Sequence, residues 1–384
     1  MSHLLRDIKV IDRETKRIAT ILIEDHDCRE INTNRVNQFK GKVTDSDGLC
    51  LIPSFVDMHC HLRDPGFTYK EDLQSGQLAA LGGGFTTLCS MANTNPICDN
   101  EKTIRYIINK ARMLGLCEII PISAVTCTFQ MKQLVDFKKM TRYTSLFSND
   151  GKPITDEDVM IAALKASSQY NFTLLTHCEP ETEMIYRDLK LLEKFGGNLH
   201  ICHVSKKESV AKIRDFKQKG LKFTCEVTPH HLCSYGLDYV VHPPFRAKED
   251  SEALLAGLLD GTIDIIATDH APHSQKDKIN GARGLIGFEH AFSLVYTRFR
   301  EKNIDLKYLI QFMSAVPAKL LGKKPGSLQD LSTADFVLVD LNAQYNIQEK
   351  DIVSKSKNTP FLGKKVFGKV LMTIKNGKVK YDYR

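Results

Sequence analysis

The sequence predicts an α/β protein whose middle folds as a (β/α)8 barrel of the TIM type. Two observations carry this. Eight apolar runs of strand type recur along the middle of the chain, with helix-type stretches between or after most of them. Both chain ends are strand-rich instead, with no helix-type alternation.

Taken in order, residues 7–24 (DIKVIDRETKRIATILIE) read as two short strands around a charged turn. The eight middle runs are 51–58, 85–91, 118–124, 144–148, 172–177, 198–204, 222–228 and 263–269. Ser205 and Glu208 make an S-x-x-E capping box opening a helix over 206–218, where Val210, Ile213 and Phe216 share a face. In 250–260, Leu254, Leu255, Leu258 and Leu259 line one helix face. Residues 335–341 and 366–382 read as strands, with Asn376-Gly377 as a hairpin turn.

Bulk properties narrow the class. A chain of 384 residues with 42% hydrophobic content can bury a sizeable core. No apolar run reaches the roughly 18 residues that a membrane span needs. The first residues carry charges throughout and no apolar core of a secretory signal. Eleven cysteines stand singly, several inside apolar runs (Cys89, Cys202, Cys225). That suits reduced thiols in a cytoplasmic protein. The net charge is +7, yet acids are interspersed and the basic clusters are pairs such as Lys323-Lys324 and Lys364-Lys365. These read as solvated surface, so no nucleic-acid partner is expected.

The unusual polar residues fall at the C-terminal ends of the runs. His59 and His61 end the first, Asp150 follows the fourth, His177 ends the fifth, His203 closes the sixth and Asp269 ends the eighth. In a barrel that rim is where active sites are built. The H-x-H spacing points both imidazoles to one face of a strand. His200 lies three positions before His203 and faces the other way, so it reads as structural. Asp269 and His270 are adjacent, so at most one points inward. Cys60 alternates with its histidine neighbours and reads as core. Each residue alone has an ordinary explanation as a polar strand end or a turn. Together, four imidazoles and two carboxylates suit zinc or a similar transition metal. They exceed the needs of one tetrahedral ion and fit two metals about 3.5–4 Å apart. Asp150 is the natural bridge, one oxygen to each metal.

Seven blocks, DMHCHLRDPG (57–66), MANTNP (91–96), SNDG (148–151), THCE (176–179), HICHVS (200–205), VTPHHL (227–232) and IATDHAPH (266–273), resemble the signature blocks of dihydroorotases of the bacterial class I type. These are cyclic amidohydrolases of the amidohydrolase superfamily. The tail NTPFLGKKVFGKVLMTIKNGKV is similar to the family's closing segment, and the likeness runs in order from about residue 45 to the C-terminus. The resemblance implies a hydrolase barrel over 53–320 and a small β-sandwich domain from 1–52 plus 321–384. It implies two zinc ions per chain. His59, His61 and Asp269 would hold one and His177 and His203 the other, with Asp150 bridging where many relatives use a carboxylated lysine. Arg63 and Asn93 match the binders of the substrate carboxylate. His61, His242 and His273 match further substrate contacts. The implied reaction is the reversible closure of N-carbamoyl-L-aspartate to L-dihydroorotate, in pyrimidine biosynthesis. In the hydrolytic direction a hydroxide bridging the metals attacks the ring amide, with Asp269 as general acid and base.

Several positions depart from the family pattern. His242 replaces an asparagine, Ala92 a proline, Asn149 an aspartate and Arg283 an aromatic residue, and the segment between His177 and His203 is short. These are expected to bear on the substrate pocket. The alternatives are a hydantoinase-like or other cyclic amidase and a non-catalytic partner of aspartate transcarbamoylase. The first is opposed by Arg63, Asn93 and His273, which suit a substrate carrying a carboxylate. The second is opposed by the intact ligand set. The resemblance allows a homodimer and an association with aspartate transcarbamoylase.

Overall fold

The chain begins with strands β1 (His3–Ile11), β2 (Lys16–Glu24), β3 (Asp27–Ile31), β4 (Lys42–Asp45) and β5 (Leu49–Pro53). This computed structural model describes residues 3–12, 15–24, 27–31, 39, 41–45, 48–324, 326, 328–329, 331 and 334–383. β1 and β2 pair antiparallel, Leu4 opposite Leu22 and Leu5 opposite Ile21. Part of the charged turn expected between them, residues 13 and 14, lies outside the described residues.

Eight strands follow: β6 (Phe55–Cys60), β7 (Phe85–Ser90), β8 (Glu118–Pro121), β9 (Leu146–Phe147), β10 (Thr173–Thr176), β11 (Leu199–Ile201), β12 (Thr224–Val227) and β13 (Ile265–Ile266). All their pairings are parallel, β6 to β8 in one group and β9 to β13 in the other. Two parallel bridges, Ser123 to Phe147 and Cys60 to His270, join the groups into a ring. Parallel strands need helical crossovers. Helices such as Glu101–Leu114, Glu157–Tyr170 and Glu181–Phe195 supply them. The barrel interior is filled by Met58, Cys89, Ile122, Leu146, Leu175, Cys202 and Ile265, with Met91 alongside. Outside the ring, Phe55, Phe85, Phe288 and Phe292 belong to the core between sheet and helices.

The chain returns to the first sheet with β14 (Phe336–Asn346), β15 (Lys365–Lys375) and β16 (Lys378–Asp382). Asn376 and Gly377, at φ 49° and 70°, make the tight turn between the last two. The terminal strands run β2-β3-β16-β15-β14-β5-β1-β4, and the β1–β2 pairing closes the sheet on itself. Leu5, Ile8, Leu51, Phe336, Leu338 and Ile374 fill its separate core.

Three local expectations are corrected. The run at 51–58 is not one strand: Leu49–Pro53 belongs to the terminal sheet and Phe55–Cys60 to the barrel. Partners change at Ser54, whose N–H donates to the Asp335 carbonyl while the Phe55 N–H donates to Gly84. The Ser205–Glu208 capping box does not form. Glu181 accepts instead from the N–H groups of Ser205 and Lys206 and from the Ser205 hydroxyl, and Asp250 accepts from the Lys207 N–H. The orphan donors of that helix start are thus met by carboxylates from other elements. Leu254, Leu255 and Leu258 are buried as expected, but Leu259 is 42% exposed.

Phe55 is fully buried, with ring centroids 5.4 Å from Phe85 and 5.7 Å from Phe292. Truncation of such a residue costs about 3–5 kcal/mol. Phe55→Ala should therefore lower the thermal unfolding midpoint clearly. An unchanged midpoint would contradict this packing.

Candidate active site

The C-terminal ends of the barrel strands bring together the four histidines and two aspartates that the sequence places on that rim. His59, His61, Asp150, His177, His203 and Asp269 are each at most 9% exposed. His61 Nε2 lies 3.0 Å from Asp269 Oδ1, and His177 Nε2 lies 3.1 Å from Asp150 Oδ1. Asp150 Oδ2 lies 3.7 Å from His61 Nδ1, so the carboxylate reaches both halves of the cluster. The His177 and His203 ring centroids are 4.7 Å apart, and those of His59 and His203 5.3 Å.

Strand exits aim these groups. His203 and Asp269 adopt φ of 32° and 47°, and Arg63 adopts 59°. Such left-handed conformations are unfavourable for residues with a Cβ and cluster at functional sites. Backbone bonds hold them: Asp269 N–H donates to the His59 carbonyl at 2.9 Å, and His61 N–H to the His270 carbonyl at 2.8 Å. His270 turns away and stacks on Phe288, with centroids 3.9 Å apart. His200 also lies outside the cluster, bonding Thr224 and Glu226. Cys60 is buried in the outer core.

Sequence reasoning missed two buried acids that support the cluster. Glu226 Oε1 lies 2.5 Å from His59 Nδ1. Asp57 accepts from the Thr268 N–H at 2.8 Å and hydroxyl at 2.6 Å, tying the first strand to the loop that carries Asp269. Burial pushes the Asp57 carboxyl up to about 7, against the lowering by Thr268. The available signal was an acid inside an apolar run, as in KFTCEVT and LIPSFVDM.

The cluster fits a cation. Among the described residues, His59 Nε2 and His177 Nε2 are buried without a hydrogen-bond partner, although both face carboxylate oxygens. Three groups of donor atoms lie mutually within 4.8 Å: His59, His61 and Asp150; His59, His203 and Asp269; and His59, His177 and Cys202. The charge balance points the same way. Burial alone would raise Asp150 and Asp269, but the neighbouring imidazoles outweigh it and hold both below the usual carboxylate range. Burial alone would lower His59, but Glu226, Asp269 and Asp150 hold it well above its ordinary value. Burial, with the charges of His177 and His59, pushes His203 well below. Among these imidazoles it is therefore His59 that the surrounding carboxylates favour in its charged form.

A cavity of about 200 Å³ opens over the cluster, lined in part by Arg63, Asn93, His242, His273 and Arg283. Arg63 is 7% exposed, and among the described residues no carboxylate pairs with it. Its Nε donates to the Pro272 carbonyl at 3.1 Å, and a terminal nitrogen lies 3.2 Å from His273 Nε2. His273 Nε2 also lies 2.9 Å from the Arg283 carbonyl and Nδ1 3.4 Å from Lys70 Nζ. Burial, then the Arg63 and Lys70 charges, lower its pKa to about 3, so it stays neutral. Its Nε2 then donates to Arg283 and its Nδ1 accepts from Lys70. Asn93 Oδ1 lies 3.0 Å from His61 Nδ1.

The departures from the family pattern divide. His242 and Arg283 line the cavity, and His242 Nε2 lies 3.4 Å from Glu179. Ala92 is packed in the outer core and Asn149 is buried behind the site, contrary to their expected bearing on the pocket. Asn149 Oδ1 accepts from the N–H groups of Val125 and Thr126, and its amide nitrogen donates to the Thr126 hydroxyl at 2.7 Å. An aspartate has no hydrogen to give for that last bond when ionised.

Residues 50–380 match the amidohydrolase family. The chain belongs to that family. A dihydroorotase of Clostridium botulinum (strain Eklund 17B / Type B) is 38% identical over 99% of this chain and 100% of its own. One from Bacillus cereus (strain AH820) is 36% identical over 100% and 99%. Within the family the chain stands with the dihydroorotases. Solved structures with the same fold include an L-hydantoinase from Arthrobacter aurescens, with TM-score 0.84 at 21% identity, covering 98% of this chain and 95% of that one. A dihydropyrimidinase from Brevibacillus agri gives 0.81 at 19%, covering 99% and 95%. Among the described residues, no helix is long and apolar enough to cross a membrane.

Because Glu226, Asp269 and Asp150 push the His59 pKa well above its ordinary value, a divalent cation is expected to displace a proton on binding. Affinity should be lost as pH falls, and binding should release protons. Calorimetry in two buffers of different ionisation enthalpy reads this directly. Affinity that does not change with pH would contradict the charge balance.

Proposed function

We propose that the chain catalyses the reversible closure of N-carbamoyl-L-aspartate to L-dihydroorotate with loss of water. The observation that carries this reading is Arg63: a buried guanidinium that no carboxylate among the described residues pairs with, lining the cavity that holds the His/Asp cluster. A cation so placed suits a ligand that brings a carboxylate. The full-length relatives support the same substrate.

The donor atoms gathered here support a metal site; in the assignment that the resemblance implies, His59, His61 and Asp269 would hold one zinc ion and His177 and His203 the other. The reach of Asp150 toward His61, His59 and His177 supports its bridging role. Bound there, such ions supply Lewis acidity that lowers the pKa of water and polarises an amide carbonyl. The chain's own groups do the rest. Arg63 holds the ring carboxylate by its terminal nitrogens, which fixes the scissile amide over the cluster. Asn93, whose oxygen faces His61, has its amide nitrogen left to donate to the same carboxylate. His273, neutral, completes that wall, and His242 and His61 face the ring. Asp269 takes the proton from the attacking water and returns it to the ring nitrogen as the amide breaks; ring closure reverses the path.

We read the protein as cytoplasmic, which its scattered and mostly buried cysteines support. A purely scaffolding role beside aspartate transcarbamoylase is disfavoured by the complete donor set; a homodimer and such an association are compatible with catalysis. We read residues 53–320 as the catalytic domain and 1–52 with 321–384 as the second. The exchange of pairing partners at Ser54 supports that division.

Purified protein should carry two equivalents of zinc and turn over dihydroorotate in preference to hydantoin and dihydrouracil. Preference for hydantoin would overturn the substrate reading. Asp269→Asn should retain zinc and lose about 10²–10⁴-fold in kcat. A near-normal rate in that variant would remove Asp269 as the base. Arg63→Met should raise KM for dihydroorotate far more than for an uncharged cyclic amide.

A further inference from the structure

Beneath the cluster, a buried polar chain runs across three strands of the barrel. His200 on β11 sits opposite Thr224 on β12 in the strand register. Because strand side chains alternate, Thr224 and Glu226 share the face that His200 and Cys202 share. Cys202 belongs to the barrel interior, so that face points inward. There His200 Nδ1 lies 2.7 Å from the Thr224 hydroxyl, His200 Nε2 lies 3.1 Å from Glu226 Oε2, and Glu226 Oε1 lies 2.5 Å from His59 Nδ1. His59, His200 and Glu226 are all 0% exposed. The His203 N–H reaches Glu226 Oε1 as well, at 3.4 Å.

An ionised carboxylate can only accept. His59 Nδ1 and His200 Nε2 must then both carry hydrogen and donate to Glu226. That choice fixes the rest of each ring. His200 Nδ1 is left to accept from the Thr224 hydroxyl. His59 Nε2 is left facing Asp269 Oδ1 at 3.4 Å and Asp150 Oδ1 at 3.8 Å, with no hydrogen-bond partner among the described residues. Both separations are too long for a good hydrogen bond.

We propose that Glu226 is a positioning residue for the metal cluster: braced by His200, its carboxylate fixes the ring orientation and the proton of His59, so that the Nε2 lone pair faces the metals. The proposal rests on the reading of the cluster as a metal site. It assigns no contact with substrate to Glu226. The competing account is a buried ion pair that merely fills the barrel interior. A filler would affect stability when altered but would leave metal affinity alone. A group that orients a ligand affects affinity at the site it serves, typically by about 10–100-fold.

The test is zinc binding by wild type, Glu226→Gln and Glu226→Leu, measured by competition with a chelator. Wild type should bind two equivalents. Glu226→Gln keeps an oxygen for His59 but loses the charge, so one of its two zincs should bind about 10–100-fold more weakly while the other is unchanged. Glu226→Leu removes the acceptor and should lose more than Glu226→Gln. Two affinities in Glu226→Gln within about twofold of wild type would overturn the proposal alone, since changes at such partners are larger. A wild type that takes up no zinc would overturn the metal reading and this proposal with it. Should the variants not fold, long-range ¹⁵N–¹H spectra of histidine-labelled, zinc-loaded wild type decide. The His59 proton is expected on Nδ1, and a proton on Nε2 would overturn the proposal.

Discussion

Two buried carboxylates facing four buried imidazoles are the constraint on which the structure turns. Asp150 and Asp269 lie in a low-dielectric interior, where an uncompensated charge is costly. His59, held well above its ordinary value by the carboxylates around it, helps to meet that cost, or, in our reading, the histidines meet it by sharing metal ions with the acids. Either way the rings must converge on one point. The barrel achieves this because parallel strands end on the same rim. Asp150, His177, His203 and Asp269 therefore meet although 119 residues separate the first from the last (269 minus 150).

The surrounding structure is built to hold that convergence. Asp57 ties the H-x-H strand to the loop bearing Asp269 through Thr268. Glu226 holds His59 from below. Left-handed backbone at Arg63, His203 and Asp269 aims three side chains that a regular strand exit would send elsewhere. Arg63 and His273 line the same cavity, one charged and one kept neutral by burial and by its cationic neighbours. In our reading a negatively charged ligand would enter between these residues and the His/Asp cluster. The terminal sheet, closed round its own core, stands apart from this chemistry.

Much of this was legible in the sequence. Eight apolar runs announced the barrel because most are short continuous stretches buried on both faces, although Glu118–Ile120 of the third is only half-buried. All six residues of the cluster could be named because polar groups at the ends of apolar strands stand out. What stayed hidden depended on partners distant in sequence. The capping of 207–218 is supplied by Glu181 and Asp250, not by the local box. The break at Ser54 follows from two different neighbours, Asp335 and Gly84. Asn149, beside Asp150, was expected near the pocket; its bonds to Val125 and Thr126 show only in three dimensions. Glu226 and Asp57 lay in plain view, but only the fold reveals which residues they support.

The central claim is that the His/Asp cluster is a two-metal site organised about Asp150. Anomalous diffraction from crystals of the zinc-loaded protein tests it most directly. The account predicts two peaks about 3.5–4 Å apart, with one Asp150 oxygen toward each. A single peak, or peaks away from Asp150, would contradict it.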